Sequence, residues 1–198
     1  MTGSEYANRI ATYVAGQFGT RGLKVYREVR VGKSIIGKNR CLDVFCLCEV
    51  TNKAFAIECK FQDSEGTVDE KIPYSLDDLE AMPMAGCIAY AGRGFSEGVL
   101  HMLRASTRAA YCLPATNQIH STADTKELDH LLAMHFGWWD VFVGKKKPVS
   151  ATLETADPNT GAPTETVDFA DTFLNGPDSR GTTHIVLDEG NSPHRDEL

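Results

Sequence analysis

Two apolar runs of strand length, Cys41 to Val50 and Phe55 to Gln62, are separated by little more than Thr51-Asn52-Lys53. A connection this short joins neighbouring antiparallel strands and leaves no room for a crossover, so the middle of the chain is committed to a hairpin. The second run also alternates. Successive residues of a strand point to opposite faces, which puts Phe55, Ile57, Cys59 and Phe61 on one side and Ala56, Glu58, Lys60 and Gln62 on the other. One face suits a core, and the other projects a carboxylate and an ammonium together. In the first run Asp43 stands among Val44, Phe45, Cys46 and Leu47. A carboxylate in such surroundings is costly unless it is paired or put to use.

The flanking segments complete an α/β pattern. Ser4 is placed to cap a helix running to about Phe18, with Tyr6, Ile10, Tyr13, Val14 and Phe18 at helical spacing and Glu5 as a favourable charge at its start. Gly19 and Gly22 end it, and Leu23 to Val31 alternates as a first strand carrying Glu28 on its polar face. Gln62 to Pro73 reads as a polar loop, after which Ser75 and Asp78 have capping-box spacing for a helix to about Met82. Gly86 to Ala91 reads as a buried fourth strand. Ser96 then caps a helix expected to hold Val99, Leu100, Leu103 and Ala110, and Tyr111-Cys112-Leu113 suggests a short fifth strand. Thr125 to Phe136 is amphipathic. The expected fold is a mixed central sheet of four to five strands flanked by helices, in a domain covering residues 1–145, with an acidic, disordered tail over 146–198. Within that tail, 167–174 and 184–187 are apolar islands that could dock on a protein partner.

Charge decides whether nucleic acid is a plausible partner. The net charge of −7 argues against it, but residues 148–198 contain ten acidic side chains against Arg180 and Arg195. The first forty residues carry eight bases and two acids. The basic end is therefore suited to phosphate and the acidic end is separate from it. No apolar run approaches the roughly 18–20 residues of a membrane span, and no basic segment followed by an apolar one opens the chain, which points to a cytoplasmic protein without a membrane role. The terminal Arg195-Asp196-Glu197-Leu198 is similar to a retrieval signal that acts only on secreted chains. The six cysteines lie mostly in strand-like runs and are expected to be reduced. Cys46 and Cys48 lack the spacing of a zinc knuckle.

Hydrolysis of a phosphodiester needs positive charge where the attacking and leaving oxygens carry negative charge. A hard cation such as Mg2+ meets that need with one or two carboxylates, a carbonyl and water. If the hairpin pairs as expected, Asp43 lies across from or diagonal to Glu58, the Cys59 carbonyl is nearby, and Lys60 is one pleat further along.

Asp43 followed by Glu58-Cys59-Lys60, with the helix, three strands, helix and strand between Ser4 and Ala91, resembles the PD-(D/E)XK nuclease superfamily, the restriction-endonuclease-like fold. Leu42 stands where that family prefers proline. The resemblance implies metal binding by Asp43 and Glu58, with the Cys59 carbonyl, and water activation by Lys60. It also brings in Glu28, as a metal-site or supporting acid or else a solvated one, and Gln62, which continues the charged row. Lys33, Lys38 and Arg40, in a glycine-bearing basic segment, and Arg93, between Gly92 and Gly94, are candidate phosphate contacts. The expected function is a Mg2+-dependent deoxyribonuclease, with Mn2+ as a possible substitute, an endonuclease acting on DNA as a homodimer or higher homo-oligomer. The alternative is a non-catalytic DNA-binding or assembly module on the same fold.

Overall fold

The hairpin forms as its sequence demands. In the computed structural model, which describes residues 1–64 and 68–149 and the strands at 152–156, 163–168 and 183–186, β1 (Leu23–Lys33), β2 (Asn39–Cys48) and β3 (Lys53–Phe61) make an antiparallel meander. A helix, α2 (Val68–Glu80), then leads to β4 (Ala85–Ala91), parallel to β3, and α3 (Glu97–Ala105) leads to β5 (Ala109–Tyr111), parallel to β4. Sheet order is β1-β2-β3-β4-β5. Before the sheet comes α1 (Gly3–Phe18), ending in a single 3-10 turn over Gly19–Arg21, and after it come α4 (Lys126–Phe136) and the short α5 (Asp140–Val143).

Each sheet face has its own core. Phe55, Ile57 and Cys59 of β3 and Cys87 and Ala89 of β4 pack with Tyr6, Ile10 and Val14 of α1 and with Leu128 and Leu132 of α4. Ala56, Ile88 and Tyr90 pack on the other side with Ile72 and Leu79 of α2 and Leu103 of α3. β4 is buried on both faces, as a strand paired in parallel between two helical layers must be. The five-stranded α/β sheet and the alternation of β3 agree with the sequence reading.

Local boundaries differ, by two residues at the ends of β1, β2 and β5 and by more at the helices. Helix α1 is capped by Thr2 and not by Ser4: the Thr2 hydroxyl accepts from the Glu5 N–H at 3.2 Å, and the Glu5 carboxylate accepts from the Thr2 N–H at 2.7 Å. Glu5 thus closes a capping box. Helix α2 begins at Val68, inside the segment expected to be loop, and runs through Pro73. Burial of Ile72 and Leu79 against the sheet outweighs the missing proline N–H, and Asp69 and Glu70 favour the first turn. Ser75, expected to start the helix, is buried in its interior. Finally, Ala110 lies in β5, because α3 stops at Ala105.

The chain divides into two units, Met1–Gly144 and Lys145–Leu198. In the second, β6 (Thr152–Ala156) pairs antiparallel with both β7 (Pro163–Asp168) and β8 (Thr183–Val186), in the order β7-β6-β8. Of the tail expected to be disordered, 150–151, 157–162, 169–182 and 187–198 lie outside the described residues, and with them most of the 167–174 island. No helix among the described residues is long and apolar enough to cross a membrane. All six thiols are unpaired and only Cys41 is exposed.

Candidate active site

Asp43 and Glu58 stand where the hairpin forks. Pairing of β2 with β3 runs from Cys48↔Lys53 to its last rung at Val44↔Ile57, whereas β2 stays paired with β1 as far as Lys33↔Asn39. Asp43 and Glu58 are the next residue beyond that rung on each strand. Strand β2 turns over at the same level: Val44 packs in the α1-side core but Leu42, two residues away, packs in the α2-side core. On β1, Glu28 adopts a positive φ of 55°, a conformation that costs a non-glycine residue about 1–3 kcal/mol.

On its β2 side, β3 has no ladder partner at Cys59, although its β4 side stays paired through Cys59↔Ala89, and Asp43 fills the open side. Its Oδ2 accepts the Cys59 N–H at 2.8 Å, while its backbone carbonyl accepts from Arg27 Nε at 2.7 Å. Arg27 is in turn held by the Asn8 side chain of α1. The first acid is therefore pinned to the strand that carries the second.

Glu58 and Lys60 are largely covered, with side chains 27% and 15% exposed, and Lys60 Nζ donates to Glu58 Oε1 at 2.6 Å. Burial pushes the Glu58 carboxyl above the usual carboxylate range. The Lys60 charge opposes that shift and the charge of Asp43 adds to it. Two partly covered carboxylates, with one ammonium bonded to Glu58, make a site that further positive charge would relieve. Among the described residues no three His, Cys, Asp or Glu side chains converge as a complete cage. The oxygen donors of Asp43 and Glu58 are of the kind a hard cation that retains water takes, and they fall short of the four protein ligands of a structural zinc site.

A cavity of about 300 Å³ opens beside Glu58, between the β1–β2 turn and α2, and its lining includes Lys38, Arg40, Cys41, Tyr74 and Asp78. A larger one, about 520 Å³, lies past the end of β3 among Gln62, Asp63, Asp69, Arg93 and Phe95. It contains none of Asp43, Glu58 and Lys60, whereas the smaller cavity has Glu58 in its lining.

The remaining candidates are spread out. Glu28 is exposed and 3.8 Å from Arg27. Gln62 is buried, with Nε2 donating to Asp69 Oδ1 (3.1 Å) and to the Gly94 carbonyl (2.5 Å), while Oε1 accepts from the Val68 N–H (3.1 Å). It joins the end of β3 to the start of α2 and to the loop after β4. Lys33, Lys38 and Arg93 are exposed. Arg40 is bonded to a carboxylate that the sequence reading assigned to a helix cap: Nε and Nη2 reach Asp78 Oδ2 and Oδ1 at 2.9 and 2.7 Å. Asp78 Oδ1 also accepts the Ile35 N–H at 2.8 Å. One side chain of α2 thereby fastens the β1–β2 turn at the rim of the Glu58 cavity. Its only sequence signal was capping-box spacing, which pointed to a different task.

A family model described as a PD-(D/E)XK nuclease superfamily domain matches residues 2–139, and the chain belongs to that superfamily. The match spans the sheet, α1 to α4, and the three residues of the motif. No curated protein matches the chain. A crystal structure of a protein of unknown function, AF1548, is similar at 15% identity over 66% of this chain and 79% of its own, with a TM-score of 0.35, too distant to bear on function. The fold is thus nuclease-like, of a superfamily that generally acts on nucleic acids with divalent metals. Membership leaves the activity, metal and substrate of this chain to be argued from its own residues.

Proposed function

We propose that the protein is a magnesium-dependent endonuclease that hydrolyses DNA phosphodiester bonds. The observation that carries this reading is the fork: Asp43 fixed by the Cys59 N–H and Glu58 paired with Lys60 at 2.6 Å, beside a cavity whose lining includes Lys38. Asp43, Glu58 and the Cys59 carbonyl would hold the cation, which supplies positive charge at the phosphate and lowers the pKa of bound water. Glu58, partly desolvated and next to Asp43, favours a positive neighbour over the bare carboxylate pair. Lys60 Nζ, within hydrogen-bond distance of Glu58, orients the attacking water, and as the neutral amine it would take the proton that the water gives up. Lys33, Lys38 and Arg93 are exposed cations available to the DNA backbone. One such site cuts one strand, so cleavage of duplex uses two copies of the chain.

The test is to incubate the purified chain with supercoiled, linear, branched and single-stranded DNA in magnesium, manganese or chelator, alongside Glu58→Ala and Lys60→Ala. Metal-dependent cutting by the wild type, lost in both variants, is expected. Cutting that survives both substitutions would sink the site. DNA binding without cutting of any substrate would favour the non-catalytic module. Sedimentation with and without DNA tests the pairing of chains.

A further inference from the structure

The turn between β1 and β2 contradicts its own sequence. The Gly37 N–H bonds to the Ser34 carbonyl at 2.8 Å, which makes Ile35 and Ile36 the two central residues of a four-residue turn. Those positions ordinarily go to proline, aspartate, asparagine, serine or glycine, and β-branched apolar residues gain nothing there from local conformation. Both isoleucines face water, 48% and 58% exposed. Scattered apolar residues on a surface need no explanation, but an adjacent pair at the tip of a turn breaks a local rule, and such breaks concentrate at functional sites.

The tip is also braced. The Ser34 N–H bonds to the Lys38 carbonyl at 2.8 Å, Gly37 sits at φ 78° where a side chain would be strained, and Asp78 holds both the Ile35 N–H and the Arg40 guanidinium. Bonds to a charged acceptor are the stronger kind, so the isoleucines are held outward and are not free to fold back. Ile36 lines the same cavity as Glu58, and Lys33 and Lys38 flank the turn.

We infer that Ile35 and Ile36 form a wedge that enters the base stack of DNA seated at the Glu58 cavity, so that the preferred substrate is duplex with an already unstacked step, such as a mismatch, bulge or branch. The inference rests on the nuclease reading for its choice of DNA. Its physical support is the pairing of an apolar tip with flanking cations: lysines hold phosphates on either side while the apolar groups replace a base-stacking contact. A duplex whose step is already open spares the protein the work of opening it.

The test measures binding in chelator, where nothing is cut, using the full chain and two duplexes that differ by one unpaired base, with 2-aminopurine beside it. The wild type should bind the interrupted duplex roughly tenfold tighter than the paired one and raise 2-aminopurine fluorescence. In Ile35→Ser/Ile36→Ser, with both positions exposed and a melting temperature to verify the fold, that ratio should fall to about one. Lys33→Ala/Lys38→Ala should weaken both duplexes alike and reduce the salt dependence. Equal wild-type affinity for the two duplexes, or an unchanged ratio in the isoleucine variant, overturns the wedge. A dimer that the isoleucine variant dissolves, with the DNA ratio untouched, overturns it in favour of a chain-to-chain contact. Wild-type cutting abolished by Lys60→Ala alongside an unaltered ratio removes the wedge and keeps the nuclease. Failure of the wild type to bind any DNA removes both.

Discussion

Replacement of Asp78 by alanine tests how firmly the β1–β2 turn is fastened to α2. The change deletes two bonds from Arg40, at 2.9 and 2.7 Å, and one from the Ile35 N–H at 2.8 Å, and it leaves a guanidinium whose side chain is only 10% exposed without a counter-charge, held by the Asp78 backbone carbonyl at 3.2 Å. Removing one member of a buried pair costs about 3–5 kcal/mol. Because this pair retains some contact with water, the lower end applies, and Asp78→Ala should lose about 3 kcal/mol, or roughly 1–2 M in urea midpoint. Arg40→Ala leaves Asp78 with the Ile35 N–H and should cost less. The double variant should fall short of the summed single effects by about 1–3 kcal/mol. The hydrogen bonds from Arg40 hold the Asp78 carboxyl below its usual range. A depressed carboxyl stabilises above its unfolded pKa, about 4, and loses that contribution as the pH falls through the folded value. The Asp78→Ala penalty should therefore be constant above pH about 4 and shrink below it. Urea unfolding followed by far-UV circular dichroism between pH 2.5 and 7 measures this. A cost under about 1 kcal/mol at neutral pH, or the same cost at both ends of the range, would refute the reasoning.

Two further substitutions probe parts of the frame that hold the site. At Gly92, with φ 111°, an added Cβ would lie 2.0 Å from the Gln62 carbonyl oxygen, so Gly92→Ala combines strain with a backbone clash and should cost about 3 kcal/mol or more by the same urea measurement. A near-neutral result would mean that the chain after β3 is not held where Gln62 places it. Asp129 is fully buried on α4 and accepts from the Tyr13 hydroxyl at 2.8 Å, and burial raises its carboxyl above the usual range. With a raised folded pKa, its contribution is greatest below about pH 4 and is lost as the pH rises through the folded value. Asp129→Asn should flatten stability across that window. A variant with the wild-type pH profile would show that Asp129 does not titrate in the folded chain.

The sequence was most informative where local pattern and tertiary environment agree. Alternation from Phe55 to Phe61 separated the two faces of β3 correctly, since each face meets its own helical layer. Asp43, Glu58 and Lys60 could be picked out because an acid inside an apolar run and a charged row on a half-buried strand both conflict with ordinary core building. The fork between β2 and β3 was not legible. It depends on where β2 turns over, between Leu42 and Val44, and on the positive φ of Glu28, neither of which follows from residue type. The Asp78 brace was hidden for a related reason, because its partners Ile35 and Arg40 lie 43 and 38 residues away. Pro73 misdirected the reading of α2, where packing of Ile72 and Leu79 outweighed a local preference. Thr2 was missed because Ser4 offers the same chemistry two residues later, and only the return bond from Glu5 separates them.

The central claim is that Asp43, Glu58 and Lys60 form one hydrolytic site. Its most direct measurement is the single-turnover rate of nicking of supercoiled plasmid by the full chain in magnesium, compared with Lys60→Ala, with circular dichroism verifying the fold of both proteins. Positioning and proton transfer by one such group contribute roughly 10²–10⁴-fold. The wild type should nick in magnesium and stop in chelator, and Lys60→Ala should be slower by a factor in that range while still binding DNA. Nicking at the wild-type rate by Lys60→Ala would contradict the account.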